Sequence, residues 1–300
     1  MPRLLQAVPG GQWIRLYSFD REVVLNAQLQ TIVSLQDYAA AAKDAAAAAL
    51  ADQLLASATS LLPRFDTGYW SLYELGGPEA DLNYQSYVVQ LLRILDRRVD
   101  DPTISKYANA FASDLVEPPL VRATVTPSVL YPWPADGFRD SASVSLWLSK
   151  RSTVKLAGAG PSIGPVVLAR GWHALTLRPG PLRPGSYVPT AQATDVAGNA
   201  STTTLPPVDI RRDTQPPTIT ARLRATTLSW SGSDDASPWL RLTLVLRRNG
   251  ERLAYPLGRR AFSGSVRLKL PRTIWNATLA SFDSSGNRTD TDLGLVGSRG

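Results

Sequence analysis

The chain has 300 residues, 44% of them hydrophobic and 19% charged, and a net charge of +7, which is enough sequence for several domains with cores of their own and excludes a disordered or peptide-scale protein. It contains no cysteine and one histidine, His173. Those counts exclude disulfide frameworks, thiolate nucleophiles, cysteine-ligated zinc and multi-histidine metal centres, and they exclude a serine–histidine triad from the N-terminal part.

In chain order, the N-terminal segment carries one arginine and an apolar run broken by Pro9, and it does not read as a signal peptide. Val24, Leu25, Leu29, Ile32, Val33 and Leu35 then recur at helical spacing. After a polar break at Lys43-Asp44, Leu50, Leu54, Leu55, Ala58, Leu61 and Leu62 repeat the stripe, which predicts a helical hairpin. The alanine run from Ala45 to Ala51 is bounded by Asp44 and Asp52, so no transmembrane helix is expected. Residues 65–81 read as a non-helical connection of a length that is often functional. Two further helices are expected: one on Tyr84, Tyr87, Val88, Leu91, Leu92 and Leu95, the other on Ile104, Tyr107, Ala108, Phe111 and Leu115. Asp101 is read as the N-cap of the last, with Pro102 at its first position.

Composition and charge both change at Pro118-Pro119. Residues 1–117 hold nine Lys+Arg and fourteen Asp+Glu, net −5, whereas residues 118–300 hold twenty-three and eleven, net +12. Alanine and leucine give way to Thr, Ser, Val, Pro and Gly, the change expected between helical and strand-and-turn sequence. Short strands are predicted at 121–126, 143–148, 154–157, 174–177 and 185–193, and the pattern restarts after Asp213 at 218–223, 227–231, 240–247, 251–255, 266–270 and 275–282. Asp195-Val-Ala-Gly-Asn near the end of one unit matches Asp283-Ser-Ser-Gly-Asn near the end of the other, which marks an internal repeat. Each is read as a tight turn between the last two strands and not as a metal ligand set. The expected organisation is a multidomain α + β chain: a helical domain at 1–117 and two tandem Ig-like β-sandwiches at 118–212 and 213–300.

Other features favour structure over chemistry. His173 is read as structural, and the six sandwich tryptophans mainly as core, with Trp133 between two prolines the best exposed candidate for stacking on a sugar. The sandwich arginines are scattered singly or in doublets and match no nucleic-acid motif, so no nucleic-acid partner is expected.

The segment that carries chemistry is Leu62-Pro-Arg-Phe-Asp-Thr-Gly, followed by Tyr73-Glu-Leu, Tyr84-Gln and Gln90-Leu, with Val24-Leu-Asn upstream. Its order and spacing over residues 11–115 resemble the C-terminal domain of the D-glucuronyl C5-epimerases, and the sandwich units resemble the Ig-like repeats of bacterial surface proteins. The first resemblance implies a domain built as an α/α toroid of helical hairpins, of which about two are present, so the domain is expected to be N-terminally incomplete. It implies inversion of C5 of uronic acid residues in a polymer, by removal of the C5 proton by a base and its return by an acid from the other face. Tyr73 and Tyr84 match the family's two catalytic tyrosines and Tyr17 matches a third; such tyrosines work as base or acid where neighbouring cations lower their pKa. Arg15, Arg64, Asp66, Asn83 and Gln85 are the substrate-binding candidates. Two family positions differ, because the arginine after Tyr-acidic-Leu is Gly76 here and the histidine after the second tyrosine is Gln85.

No cofactor and no metal are expected; the resemblance implies an acidic uronic-acid-containing polysaccharide or cell-wall glycan as partner, which together with the tandem Ig-like modules favours a secreted or cell-surface location. The alternative is a non-catalytic surface or glycan-binding protein with a remnant helical domain. A lyase that abstracts the same proton and then eliminates the C4 substituent shares the first half of the chemistry.

Overall fold

The computed structural model describes residues 4–17 and 19–297. A hairpin not anticipated from the sequence comes first: β1 (Leu5–Val8) pairs antiparallel with β2 (Gly11–Ile14) through a Pro9-Gly10 turn. The two strands are too short for period-2 alternation to show, and what fixes them is tertiary. Trp13 is fully buried and stacks on Phe65 at 5.7 Å between ring centres. Buried Gln28 accepts from the Ile14 N–H at 2.8 Å and donates to the Gln12 and Leu54 carbonyls, which joins the hairpin to two helices. At Gly11 a Cβ would stand 2.5 Å from the Ser57 hydroxyl, so the turn lies directly on a helix face and needs glycine.

The four predicted helices are present: α1 (Leu25–Ala42), α2 (Ala45–Phe65), α3 (Leu82–Asp96) and α4 (Pro102–Asp114). Lys43 ends α1 in the left-handed conformation and Asp44 caps α2 by accepting from Ala46 and Ala47 N–H groups, so the polar break is a two-residue connection. Asp81 caps α3 and Asp101 caps α4, with Pro102 in the first turn as expected. By length and composition alone α2 could cross a membrane; here its Leu54, Ala58, Leu61, Leu62 and Phe65 face instead fills one core with Leu25, Leu29, Ile32, Leu92 and Phe111. That amphipathic stripe is the reason the helix packs on its neighbours.

Two sandwiches follow. The first comprises β3 (Val121–Thr126), β4 (Val129–Leu130), β5 (Ala142–Leu148), β6 (Ser152–Ala157), β7 (Ile163–Leu168), β8 (Gly171–Leu177), β9 (Gly185–Tyr187), β10 (Thr190–Asp195), β11 (Ala200–Thr204) and β12 (Val208–Ile210). One sheet has the order β3-β5-β8 and the facing one β11-β10-β6-β7, while β4, β12 and β9 form a small third sheet. The second comprises β13 (Thr218–Arg224), β14 (Thr227–Ser233), β15 (Leu240–Arg248), β16 (Glu251–Arg260), β17 (Ser263–Arg267), β18 (Trp275–Phe282) and β19 (Arg288–Val296), in sheets β13-β14-β17 and β16-β15-β18-β19. Both units therefore pack a three-stranded sheet, made of the first, second and fifth main strands, on a four-stranded one, which is Ig-like sandwich topology. The repeat inferred from the two Gly-Asn turns is a repeat of whole topology.

Alternation builds the cores: β5 turns Ala142, Val144, Leu146 and Leu148 inward, and β15 does the same with Leu240, Leu242, Leu244 and Leu246. The predicted strand at 185–193 is two strands, split at Val188-Pro189, and that at 266–270 is centred earlier, on β17. Among the unforeseen strands β11, β12 and β19 are polar or short, and β7 is interrupted by Gly164-Pro165; all four are defined by their ladder partners. Of the sandwich tryptophans only Trp230 and Trp275 are buried, and the most exposed is Trp172, at 64%, rather than Trp133. His173 holds its own strand entry, its Nε2 lying 2.7 Å from the Ala169 carbonyl.

Candidate active site

The connection between α2 and α3 is a folded platform. Asp66 accepts the Gly68 N–H at 2.6 Å, and Thr67 both donates to the Trp70 carbonyl and accepts the Trp70 N–H, so the Asp-Thr-Gly run makes a compact turn. Trp70 is buried and its indole donates to the Ala80 carbonyl at 2.7 Å, which closes the far end of the connection. Between them Tyr73 donates its N–H to the Pro78 carbonyl and Gly77 donates to Glu74, a tight reversal. A Cβ at Gly77 would collide with the Glu74 side chain, and Gly76 adopts φ +80°; the Gly76-Gly77-Pro78 run is what allows the reversal.

This reversal docks on the entry to α1. Leu25 donates its N–H to the Tyr73 carbonyl at 3.2 Å and Leu75 to the Val23 carbonyl at 3.0 Å, forming an antiparallel bridge between Val24 and Glu74. The bridge brings the segment that carries Tyr17 and Glu22 beside Tyr73, while the N-cap at Asp81 sets Tyr84 in the first turn of α3. The Tyr73 and Tyr84 rings are 4.8 Å apart and inclined at 58°. Tyr17 stacks on Phe19 at 5.3 Å and is 50% exposed; Tyr84 is 39% exposed and Tyr73 half-buried. Tyr73 and Tyr84 thus form a partly exposed pair at the surface, with Tyr17 near enough to act on Tyr73. Tyr84, on the same helix stripe as Tyr87 and Leu91, is not a core residue.

The electrostatics run against expectation. Tyr73 is raised above the ordinary phenol pKa, first by desolvation, then by Tyr84, Tyr17 and Glu22. Its phenol stays protonated at neutral pH. Glu22 is raised in turn, by shielding from water and by the carboxylates of Asp20 and Glu74. The cluster is aromatic and acidic, and Glu22 and Glu74 are members that sequence reasoning missed; the signal was the Val23-Val24 pair, whose β-bridge partner places them together.

The remaining candidates are dispersed. Arg15 donates from Nε to the Asp20 carbonyl at 3.0 Å and so shapes the loop that bears Tyr17. Arg64 is exposed in the last turn of α2. Asp66 serves its turn. Gln85 requires correction: it is fully buried, accepts from the Ser71 N–H and hydroxyl, and donates to the Phe111 carbonyl, so its amide is engaged in the core and is not exposed to a substrate. Asn83 is exposed and lines a cavity of about 270 Å³ with Trp70, Glu79, Asp81, Lys150 and Arg151, where the helical domain meets the first sandwich. Glu79 there is raised by burial, opposed by the Arg151 N–H and by Arg170, Lys150 and Arg151.

Residues 4–113 match the family described as D-glucuronyl C5-epimerase C-terminus. This is the domain implied by the tyrosine motifs, and the match ends before the first sandwich strand. No match is found among curated proteins. Solved structures similar to the sandwich part include the fibronectin(III)-like modules of Clostridium thermocellum CbhA, at 13% identity over 59% of this chain and 94% of that one with a TM-score of 0.25. A bacterial ice-binding adhesin is 16% identical over 61% of this chain and 66% of its own, TM-score 0.29. The Bacteroides ovatus glucan-utilisation protein SGBP-B, solved with a mixed-linkage heptasaccharide, is 13% identical over 60% and 47%, TM-score 0.23. These scores are too low to carry an argument, and the sandwich fold rests on strand order.

Proposed function

We propose that the epimerase-like domain acts on a uronic-acid-containing polysaccharide, inverting C5 through proton transfer at the Tyr73–Tyr84 pair. The observation that carries this reading is the meeting of Tyr73 and Tyr84 at the surface, with Tyr17, from a third segment, near enough to act on Tyr73. In the reaction the C5–H bond breaks, the proton passes to a base, and the electron pair spreads into the adjacent carboxylate; the C–H bond then re-forms with a proton from the opposite face. A phenol that holds its proton at neutral pH suits the returning acid, so Tyr73 takes that role, and Tyr84 or Tyr17 faces the other side of the sugar. The substrate carboxylate needs a positive partner, and Arg15, in the Tyr17 loop, is the candidate for it. An acidic glycan substrate and tandem sandwich modules support a secreted or cell-surface location.

A second reading, non-catalytic glycan binding, is favoured by one feature of the first sandwich. Trp147 and Trp172 face each other across β5 and β8 on the same outer surface, Arg122 lies over the Trp147 ring at 5.3 Å, and Tyr69 meets it edge-on at 5.9 Å. Such a strip suits stacking on sugar rings.

The test incubates the chain, as it stands and with any upstream coding sequence, with uronic-acid polymers in heavy water while deuterium at C5 is followed by NMR. Exchange that is lost in Tyr73→Phe supports the epimerase reading. Absence of exchange on every uronan overturns it, and glycan binding that weakens in Trp172→Ala then supports the second. An ultraviolet-absorbing unsaturated product would identify a lyase.

A further inference from the structure

The arginines of the second sandwich are scattered along the sequence and gathered by the fold. In β15 the inward positions are Leu240, Leu242, Leu244 and Leu246, so Arg241, Thr243, Val245 and Arg247 point to the outer face of the four-stranded sheet. Register carries that face onto the neighbouring strands. Arg241 stands opposite Arg259 of the edge strand β16 and Phe282 of β18, and Arg247 stands opposite Arg252 and Asn276. Two arginine pairs therefore face each other directly across one ladder, an arrangement that is destabilising when nothing neutralises it.

All four arginines are exposed, and none forms a hydrogen bond or an ion pair with another described residue. Aromatic rings hold two of them in place: Arg241 lies over Phe282 at 4.8 Å and Arg259 over Trp239 at 4.3 Å. The carboxylates of this sheet lie elsewhere. Glu251 stands opposite Arg248 on the other face, and on the far edge Asp290 is tied to Arg288 while Asp292 accepts the Gly294 N–H. Between the two arginine pairs runs a groove of about 360 Å³, lined by Pro256 and Phe282. Its floor is Thr243, Val245 and Ala280, the last two buried although they point outward. At the rise of a strand, Arg241 and Arg247 are about 20 Å apart.

We propose that this face binds an acidic polysaccharide laid along β15, with one uronate carboxylate at the Arg241–Arg259 pair and another at the Arg247–Arg252 pair. A guanidinium takes a carboxylate through two parallel N–H···O bonds, and the ligand's charge removes the repulsion within each pair. The separation of the pairs selects a polymer. A monosaccharide reaches one pair, whereas a chain that spans both delivers its second carboxylate at the effective concentration set by the first. The one aromatic ring in the groove, Phe282, is occupied by Arg241 and Arg288, so the groove offers no free platform on which nucleic-acid bases stack. The choice of polymer rests on the reading of the helical domain as acting on a uronic-acid-containing polysaccharide; the site itself is separate from the Tyr73–Tyr84 pair.

The test titrates the full chain with polygalacturonate, and with galacturonic acid, neutral dextran and a single-stranded oligonucleotide as comparisons. Saturable binding of polygalacturonate is expected, weakening as NaCl rises, with galacturonic acid roughly 100-fold weaker and dextran not bound. Removing one opposed pair in Arg247→Gln/Arg252→Gln is expected to lower the affinity roughly 10-fold or more and to leave the unfolding temperature at or above that of the wild type. Arg222→Gln/Arg224→Gln removes the same charge from exposed positions of β13, on the other sheet, and is expected to keep the affinity within about 2-fold. Equal weakening in the two double variants reduces the binding to net charge and overturns the proposal, as does tighter binding of the oligonucleotide or a lack of saturable polygalacturonate binding. Binding needs no turnover, so its outcome is independent of C5 exchange. Arginine-dependent binding without exchange overturns the epimerase reading and leaves this site standing; exchange without arginine-dependent binding does the reverse.

Discussion

Asp114 offers a direct test of the electrostatics at the joint between the helical domain and the first sandwich. It sits at the end of α4, is 6% exposed, and has a carboxylate oxygen, Oδ2, buried without a hydrogen-bond partner. Burial raises its pKa from 3.8 to about 7; Lys150 opposes the rise, and Asp66, Glu117 and Glu79 add to it. Because the folded-state pKa lies above the unfolded one, the folded chain holds this proton more tightly, and the associated stability is complete below about pH 4 and is lost as pH rises to about 7. Every tenfold difference in proton affinity between the folded and unfolded chain corresponds to about 1.4 kcal/mol, so the full loss is on the order of 4 kcal/mol, an upper bound because the site relaxes and hydrates when charged. Asp114→Asn keeps the shape and removes the titration. Measured by thermal unfolding at intervals from pH 4 to pH 8.5, the variant is expected to gain stability relative to the wild type steadily up to about pH 7 and then to hold a constant advantage. A difference that does not change with pH, or that runs the other way, would refute the reasoning.

Three further outcomes follow from the same geometry. Lys150→Met strands the Asp195 carboxylate in the interior and is expected to cost roughly 3–5 kcal/mol in urea unfolding, whereas a loss below about 1 kcal/mol would mean that the ammonium is dispensable. Gln85→Ala leaves the Ser71 N–H and the Phe111 carbonyl unpaired and is expected to lower stability by roughly 2–4 kcal/mol; a variant of unchanged stability with altered glycan affinity would restore Gln85 as a substrate contact. Tyr73→Phe keeps the ring against Tyr84 and removes only the hydroxyl, so it is expected to leave the unfolding temperature within about 2 °C of wild type while lowering C5 exchange by roughly 100-fold or more.

The helices and their ends were legible because their determinants are local. Apolar spacing named the buried faces, and Asp101 beside Pro102 was readable as a cap; Asp44 and Asp81 also cap with their own side chains, which the sequence reading did not assign. The Asp195 and Asp283 turns were legible for the same reason, since an aspartate that accepts from the N–H groups just ahead of it needs nothing from the rest of the chain. The strands were less so: β11 and β19 are polar on both faces over much of their length and exist because β10 and β18 pair with them. The motif tyrosines were nominated by the family resemblance, and Gln85, nominated on the same ground, turned out to be a core residue. Exposure depends on which helix covers a position, and α4 covers that one.

What the sequence determined by itself was the α + β class, the internal repeat and the Asp101 cap, because periodicity, turn and cap each depend on residues within a few positions of one another, while Tyr17, Tyr73 and Tyr84 were nominated by the family resemblance. Only the tertiary structure decided that Tyr73 lies beside Tyr84 and Glu22 in a setting that raises its pKa, and that Trp172 and not Trp133 is the most exposed indole of the sandwiches. Only it showed that Lys150 and Asp195 meet in the interior, and that Arg241, Arg247, Arg252 and Arg259 gather on one sheet face. Burial and charge proximity are sums over neighbours that the chain brings together only when it folds.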